Sequence, residues 1–199
     1  MKKHLLTLLA VSAMLSTACS DLKKPEEKDQ LSEATNDTAV VARENGAATP
    51  VDPEWDMSNA TLANLTLEEI DLPEIAVRGD DRFSVYSIEE TVLFDTDKAD
   101  IKPTATRALS EIGASIGRRH GKGKVRVMGF ADSRGDANYN RELSAKRAEA
   151  VKNWFMKSAG IGADRISIEP MGESAPVASN ATAEGRQQNR RVEIAVLNQ

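Results

Sequence analysis

Residues 129–148 read Gly-Phe-Ala-Asp-Ser-Arg-Gly-Asp-Ala-Asn-Tyr-Asn-Arg-Glu-Leu-Ser-Ala-Lys-Arg-Ala. They join two segments whose apolar residues repeat with different periods. Residues 124–128 alternate between polar and apolar side chains, which is typical of a half-buried strand. Residues 140–159 carry apolar side chains at helical spacing, and a glycine follows them directly. The stretch therefore places Asp132 just beyond a strand and Arg147 on the helix that comes next.

Arg147 lies on the apolar side of that predicted helix. On a helical wheel it falls within an arc of apolar residues, which are Leu143, Ala148, Val151, Trp154 and Phe155. An arginine keeps its charge, so a buried one needs a carboxylate partner or an anionic ligand unless its end reaches solvent. Two interpretations stay open at this point: an internal salt bridge to Asp132, and a pair of residues that binds a ligand.

The remainder of the C-terminal part alternates strands with helices. Alternating runs at residues 84–88, 165–169 and 192–196 predict half-buried strands, and a short apolar run at 91–94 predicts another. Pro103 opens a helix whose apolar face comprises Ala105, Ala108, Leu109, Ile112 and Ile116. This order predicts an α/β (α+β) fold, a two-layer βαβ-type sandwich with a mixed sheet covered on one face by helices.

Several short motifs occur in the order found in one protein family. They are Val92-Leu93-Phe94-Asp95, Gly129-Phe130-Ala131-Asp132, Asn140, Leu143-Ser144, Arg147-Ala148, Gly185-Arg186 and Asn189-Arg190-Arg191-Val192-Glu193. Over residues 84–197 the chain resembles the OmpA-like peptidoglycan-binding domain. One departure is that Ala131 stands where the family often has threonine, which removes a hydroxyl near the expected site.

The resemblance implies roles for two charged residues. By motif position, Asp132 and Arg147 clamp the free zwitterionic end of diaminopimelate in a peptidoglycan stem peptide. The residue types suit this ligand, because a carboxylate can hold an ammonium and a guanidinium fork matches a carboxylate.

The resemblance and the local pattern add three candidate residues to this site. Asp97 is expected to line the cleft where many relatives have asparagine, and its carboxylate either strengthens the hold on an ammonium or repels a carboxylate. Asn140 is expected close to the ligand and is also a good candidate for a helix N-cap. Arg190 enters the last predicted strand and is expected to face the cleft, whereas Arg186 and Arg191 are equally suited to structural ion pairs.

Residues 1–18 predict a signal peptide that ends before Cys19. A basic start and an apolar stretch too short to span a bilayer precede the small residues Ser16-Thr17-Ala18 and the chain's single cysteine. This resembles a lipoprotein signal in which Cys19 is acylated, although Ser16 stands where such signals usually have leucine. Cleavage of the same bond by ordinary signal peptidase is the alternative. With Ser20 after Cys19, family sorting rules imply the outer membrane.

Charge divides the rest of the chain into two parts. Residues 20–78 contain 14 acidic and 5 basic residues, whereas residues 79–199 contain 17 and 19. The acidic part lacks a sustained apolar period, which predicts a flexible, disordered tether over residues 19–80 and a folded domain over 81–199. Trp55 and the cluster from Leu62 to Leu67 are interpreted as a weakly docked patch of this tether rather than a partner site.

Catalytic patterns are missing from the sequence. Its two histidines are His4 and His120, and the sequence contains no Cys/His pair, nucleophile elbow or phosphate loop. The carboxylates of residues 95–100 lack the glycine and the distal glutamate of a calcium loop. We therefore expect no enzyme activity, no cofactor, no metal and no nucleic-acid partner.

These patterns together predict a lipid-anchored protein of the outer membrane that faces the periplasm. It is expected to bind peptidoglycan non-covalently through diaminopimelate and to anchor the membrane to the cell wall, as in the peptidoglycan-associated lipoproteins that it resembles. Tol-system proteins or other envelope proteins are expected as further partners. The alternative is a periplasmic interaction or assembly protein whose domain mainly docks other envelope proteins.

Overall fold

A six-stranded mixed sheet forms the centre of the computed structural model, which describes residues 52–198. Its strands run in the order β1-β2-β3-β6-β4-β5. β4 and β5 are parallel, and every other neighbouring pair is antiparallel. The bounds are β1 Ala63–Asn64, β2 Ile75–Gly79, β3 Phe83–Glu89, β4 Val125–Phe130, β5 Ile166–Gly172 and β6 Arg191–Leu197. The predicted mixed sheet is thus confirmed.

Four helices lie among the described residues, and the two longest cover one face of this sheet and enclose the main core. The four are α1 Glu90–Leu93, α2 Thr106–Arg119, α3 Ala137–Trp154 and α4 Ala183–Asn189, with short 3-10 turns at Pro53–Trp55 and Pro103–Ala105. The predicted apolar face of α2 is buried, since Leu109, Ile112 and Ile116 are fully inaccessible to solvent. The predicted layer of helices on a mixed sheet is therefore confirmed as the fold class.

Helix α3 begins earlier than the sequence predicts. Asp136 is its N-cap, because its side chain accepts hydrogen bonds from the backbone N–H groups of Asn138 and Tyr139. The predicted N-cap role of Asn140 is wrong for this reason. A π-helical turn over Phe155–Ala159 extends the helix, and Gly160 ends it with a left-handed φ of 68°.

The short apolar run at residues 91–94 is not a strand. Residues Glu90–Leu93 form the single turn α1, and Phe94 then pairs with Ile101 in an isolated bridge. A run this short fits a buried helical turn as well as a strand, so its apolar character alone could not separate them. The turn matters because it begins with Glu90, directly at the end of β3.

The face of the sheet opposite the helices is covered by the start of the described chain, here called the N-terminal strap (residues 52–72). Trp55 is buried against the sheet, with its ring centroid 6.4 Å from that of Phe83. The guanidinium of Arg126 lies 4.5 Å from the Trp55 ring centroid and also pairs with Asp52 at 3.2 Å. This part of the strap closes a second apolar cluster on the outer side of the sheet.

The later part of the strap is held on α2 by carboxylates. The Glu69 carboxylate receives hydrogen bonds from the Arg119 guanidinium and, at 2.8 Å, from the Ser115 hydroxyl. Glu111 of α2 accepts the backbone N–H groups of Asp71 and Leu72 at 3.1 and 3.2 Å. The strap is therefore fixed to both layers of the domain.

The predicted boundary at residue 80 needs correction. Residues 52–80 belong to the same compact unit as the rest of the described chain, and they supply β1, β2 and the buried Trp55. Their sparse apolar residues pack into the two apolar clusters of the domain instead of building a separate core, which explains the weak local pattern. The predicted signal peptide, Cys19 and the tether up to residue 51 lie outside the described residues.

The Glu69 contacts predict an acid-sensitive strap. Hydrogen bonding by Arg119 outweighs burial and lowers the pKa of Glu69 from 4.5 to about 2. A depressed pKa stabilises the fold above the ordinary pKa, and the stabilisation is lost as the pH falls towards 2. Glu69→Gln should therefore lower the free energy of unfolding by about 1–2 kcal/mol near pH 7. This figure allows for solvent screening, because Arg119 is half-exposed.

Urea denaturation of both proteins as a function of pH measures this effect. The gap in unfolding free energy should close between pH 4.5 and about 2. A gap that is unchanged over this interval would show that the ionised Glu69 does not hold the strap.

Candidate binding cleft

The ends of three adjacent strands bring charged residues together. β6 lies between β3 and β4 and is antiparallel to both, so its start is next to their ends. Glu90 directly follows β3, Arg190 directly precedes β6, and Asp132 lies just beyond β4. The backbone N–H of Glu90 donates to the carbonyl of Arg190 at 3.0 Å, which fixes two of these ends to each other.

Helix α3 supplies the opposite wall because it approaches β4 closely. Gly129 has no side chain, and a Cβ at that position would collide with the backbone carbonyl of Ser144. The Ser144 hydroxyl in turn accepts the backbone N–H of Gly172 at 3.2 Å. This contact sets α3 against the sheet and directs Arg147, one turn later, towards the strand ends.

A cleft of about 520 Å³ lies between these strand ends and α3. All the residues that the sequence predicts for the site line it: Asp97, Asp132, Asn140, Arg147 and Arg190. Other lining residues include Glu90, Arg134 and Tyr139. The structure thus brings the predicted residues together, while their binding roles stay predictions.

Asp132 is a buried acid at the base of the cleft, with 7% of its surface exposed. Its Oδ1 accepts the backbone N–H of Arg134 at 2.8 Å, and its Oδ2 accepts a hydrogen bond from Arg190 Nη1 at 2.7 Å. Each carboxylate oxygen can accept more than one hydrogen bond, so Asp132 keeps capacity for a ligand donor.

Arg147 pairs with Glu90 rather than with Asp132. Its Nη2 donates to Glu90 Oε1 at 2.8 Å, and its Nε donates to the backbone carbonyl of Lys98 at 2.9 Å. The guanidinium also lies 5.3 Å from the Phe94 ring centroid. Within residues 52–198, Nη1 makes no hydrogen bond, so this group of the guanidinium is available to a ligand carboxylate. The internal Arg147–Asp132 salt bridge is not formed.

Glu90 is a buried charged residue of the cleft that the sequence pattern did not single out. It is 6% exposed, and its Oε2 makes no hydrogen bond among the described residues, although Arg190 Nε lies 3.4 Å away. The signal available was an acid directly before an apolar run, which is too common to single out. Glu90 continues the charge series Arg147, Glu90, Arg190, Asp132, in which each neighbouring pair is oppositely charged.

Asn140 positions the loop of the cleft. It is 6% exposed, and its amide Nδ2 donates to the backbone carbonyls of Asp132 and Arg134 at 3.1 and 2.8 Å. A buried amide that bonds two loop carbonyls holds the Asp132 carboxylate in place relative to α3. Asn140 lines the cleft and its contacts give it a positioning role, while its closeness to a ligand stays a prediction.

Asp97 lies on the rim of the cleft. It is exposed and has a φ of 57°, a left-handed conformation that asparagine and aspartate adopt more readily than most residues. Nearby, the Lys98 carbonyl is held by Arg147, so the rim loop is connected to α3. Arg186 and Arg191 lie outside the cleft lining, where Arg191 pairs with Glu193 at 2.8 Å.

In the part of the chain that the structure describes, no group of three or more His, Cys, Asp or Glu side chains is arranged to hold a metal ion. The helices between residues 52 and 198 are all too short or too polar to span a membrane.

Comparison with known proteins agrees with this architecture. Residues 93–190 match the OmpA family, a range that contains Asp132, Arg147 and Arg190 but not Glu90. The solved structure described as the cell wall anchor of the T6SS from Pseudomonas aeruginosa is 35% identical, with a TM-score of 0.58. That match covers 63% of this chain and 89% of the solved one. The chain belongs to the OmpA family.

Its OmpA-family relatives also include proteins of the bacterial envelope. Probable lipoprotein YiaD of Escherichia coli (strain K12) is 37% identical over 110 residues, which are 55% of this chain and 49% of that protein. Outer membrane porin F of Pseudomonas aeruginosa is 35% identical over 136 residues, which are 68% of this chain and 37% of that protein. This chain therefore spans about half or less of the length of these curated relatives.

Proposed function

We propose that the cleft binds the free zwitterionic end of diaminopimelate in a peptidoglycan stem peptide, without covalent chemistry. The observation that carries this proposal is that Asp132 and Arg147 are both buried in one cleft and are not paired with each other. Opposite charges held apart in this way complement a ligand group that carries both signs.

The hydrogen-bonding capacity left in the cleft supports this ligand. Arg147 Nη1 can donate to a carboxylate. Asp132 can receive an ammonium, whose N–H groups are all donors. Burial strengthens both contacts because the local dielectric constant is lower than that of water.

The cell wall is the proposed location of this ligand because a related OmpA-family structure is described as a cell wall anchor. The same relationship favours a binding protein over an enzyme that acts on the wall. A periplasmic assembly protein is the second candidate, and a test with purified sacculi and no other protein separates the two. Tol-system proteins are proposed as further partners only on the family resemblance.

We also propose that Cys19 is acylated and attaches the protein to the outer membrane. This rests on the small residues before Cys19 and on a relative named a probable lipoprotein. Mass spectrometry of the mature N-terminus should show Cys19 as the first residue with added acyl chains. An unmodified thiol at Cys19, or cleavage at another bond, would contradict the proposed lipid anchor. It would leave the proposed function of the cleft unaffected.

Co-sedimentation with purified sacculi tests the binding proposal. Asp132→Asn removes the charge that holds the ammonium while keeping an acceptor for the Arg134 N–H. It should weaken binding by about 2–4 kcal/mol, or tens to hundreds of fold. Asp81→Asn is the matched control, because Asp81 is exposed and outside the cleft. Equal sedimentation of Asp132→Asn and wild type would overturn the proposal.

A further inference from the structure

We propose that Glu90 and Asp132 form a two-carboxylate subsite for the ligand ammonium, and that Arg190 occupies this subsite when the cleft is empty. The inference rests on the proposed function of the cleft and adds the residue that makes it select a zwitterion over a simple carboxylate. Glu90 is thereby a specificity-determining residue.

The position of Arg190 shows that a cation fits between the two acids. Its Nη1 donates to Asp132 Oδ2 at 2.7 Å, and its Nε lies 3.4 Å from Glu90 Oε2. The two carboxylates are buried, with 9% and 8% of their side-chain surfaces exposed, while that of Arg190 is 31% exposed. The acids are therefore enclosed by protein, whereas the cation between them is partly open to solvent.

The second oxygen of Glu90 is incompletely satisfied. Glu90 Oε1 is held by Arg147, but Oε2 is buried and accepts no hydrogen bond from residues 52–198. Buried carboxylate oxygens normally have such a partner, because leaving one without it costs free energy. A ligand ammonium has three donors and can satisfy Oε2 and Asp132 together.

The charges of the lining residues favour the same ligand class. Arg134, Arg147 and Arg190 are balanced by Glu90, Asp97 and Asp132, so the cleft is formally neutral. Glu90 in particular neutralises Arg147, which reduces the attraction for a carboxylate that brings no cation with it. A zwitterion replaces the Arg190 contacts with its ammonium and presents its carboxylate to the Nη1 group of Arg147.

Titration with two forms of one stem peptide tests the subsite. One form has the free diaminopimelate amine, and the other has that amine acetylated. Glu90→Gln should weaken binding of the free amine by about tenfold, since one charge-assisted hydrogen bond is lost. Binding of the acetylated peptide should stay equal or increase, because Arg147 is no longer neutralised. The preference for the free amine should thus fall by about tenfold.

Glu68→Gln is the matched control, because it removes the same charge from an exposed position outside the cleft. It should keep the wild-type preference. A Glu90→Gln protein that also keeps it would overturn the subsite while leaving the proposed function intact. If wild type binds neither peptide, the proposed function fails and the subsite fails with it.

Arg190→Met provides a second test that does not depend on how Glu90→Gln folds. The change removes the internal cation, so the free-amine peptide no longer has to displace it. Its affinity should rise severalfold at low ionic strength, with folding checked by circular dichroism. A fall in affinity would show that Arg190 contacts the ligand directly and is not displaced.

Discussion

Arg147→Met should lower the free energy of unfolding by about 3 kcal/mol, because it leaves the buried Glu90 carboxylate without its main partner. Methionine keeps much of the arginine volume, so the loss reports on charge and hydrogen bonds rather than on a cavity. The Lys98 carbonyl also loses its donor. Urea denaturation near neutral pH measures the change.

A second variant separates this stability effect from ligand binding. Arg147→Met with Glu90→Gln removes both buried charges, so much of the lost stability should return. Binding to the stem peptide should not return, because the guanidinium that holds the carboxylate is still missing. A double variant that binds as well as wild type would show that Arg147 is structural and has no role in the ligand contact.

Trp55→Ala should lower the free energy of unfolding by about 3–5 kcal/mol, which is the usual cost of removing a buried tryptophan. The indole is 6% exposed, covers Phe83 and is covered by Arg126. Its removal leaves a cavity on the sheet and frees the start of the strap. Urea denaturation followed by circular dichroism measures this loss.

Trp154→Ala is the control for this variant. Trp154 is only half-buried, so its replacement should lower the free energy of unfolding by less than Trp55→Ala does. Sacculus binding by folded Trp55→Ala should equal that of wild type, since Trp55 does not line the cleft. Unchanged stability in Trp55→Ala would show that the strap is not part of the stable domain and is a flexible tether, as its composition predicts. Removal of residues 25–75 tests the same boundary and should destabilise the domain, because it removes Trp55 and β1.

The sequence predicted the parts of the fold that depend on local periodicity. The strands around residues 84–88, 124–128, 165–169 and 192–196 were identified because alternation is visible within a few residues. Arg147 could be assigned to a buried position because its neighbours repeat at helical spacing over several turns. Those same patterns placed Asp132 and Arg147 near one another.

The strap could not be predicted in this way. Trp55 meets Phe83, and Glu69 meets Arg119, across long separations in sequence. Neither contact leaves a periodic pattern, and an acidic segment with few apolar residues has the composition of a tether. The strap is held by tertiary contacts, which its own sequence does not reveal.

The ion pairs within the cleft could not be predicted from the spacing of residues in the sequence. Both acids near Arg147 are compatible with its position, and the choice of Glu90 over Asp132 depends on α1 being a turn and not a strand. Arg190 reaches Asp132 because β6 starts beside the end of β4, a fact of sheet order. Strand order follows from tertiary packing, which a single sequence does not reveal.

Calorimetric titration of the wild-type protein with two stem peptides tests the central claim most directly. One peptide carries the free diaminopimelate carboxylate, and the other carries the same group amidated. Losing the charge-assisted contact to Arg147 should weaken binding of the amidated peptide by about tens to hundreds of fold. Arg147→Met with Glu90→Gln should bind both peptides equally weakly. Equal wild-type affinity for the two peptides would contradict recognition of the zwitterion by this cleft.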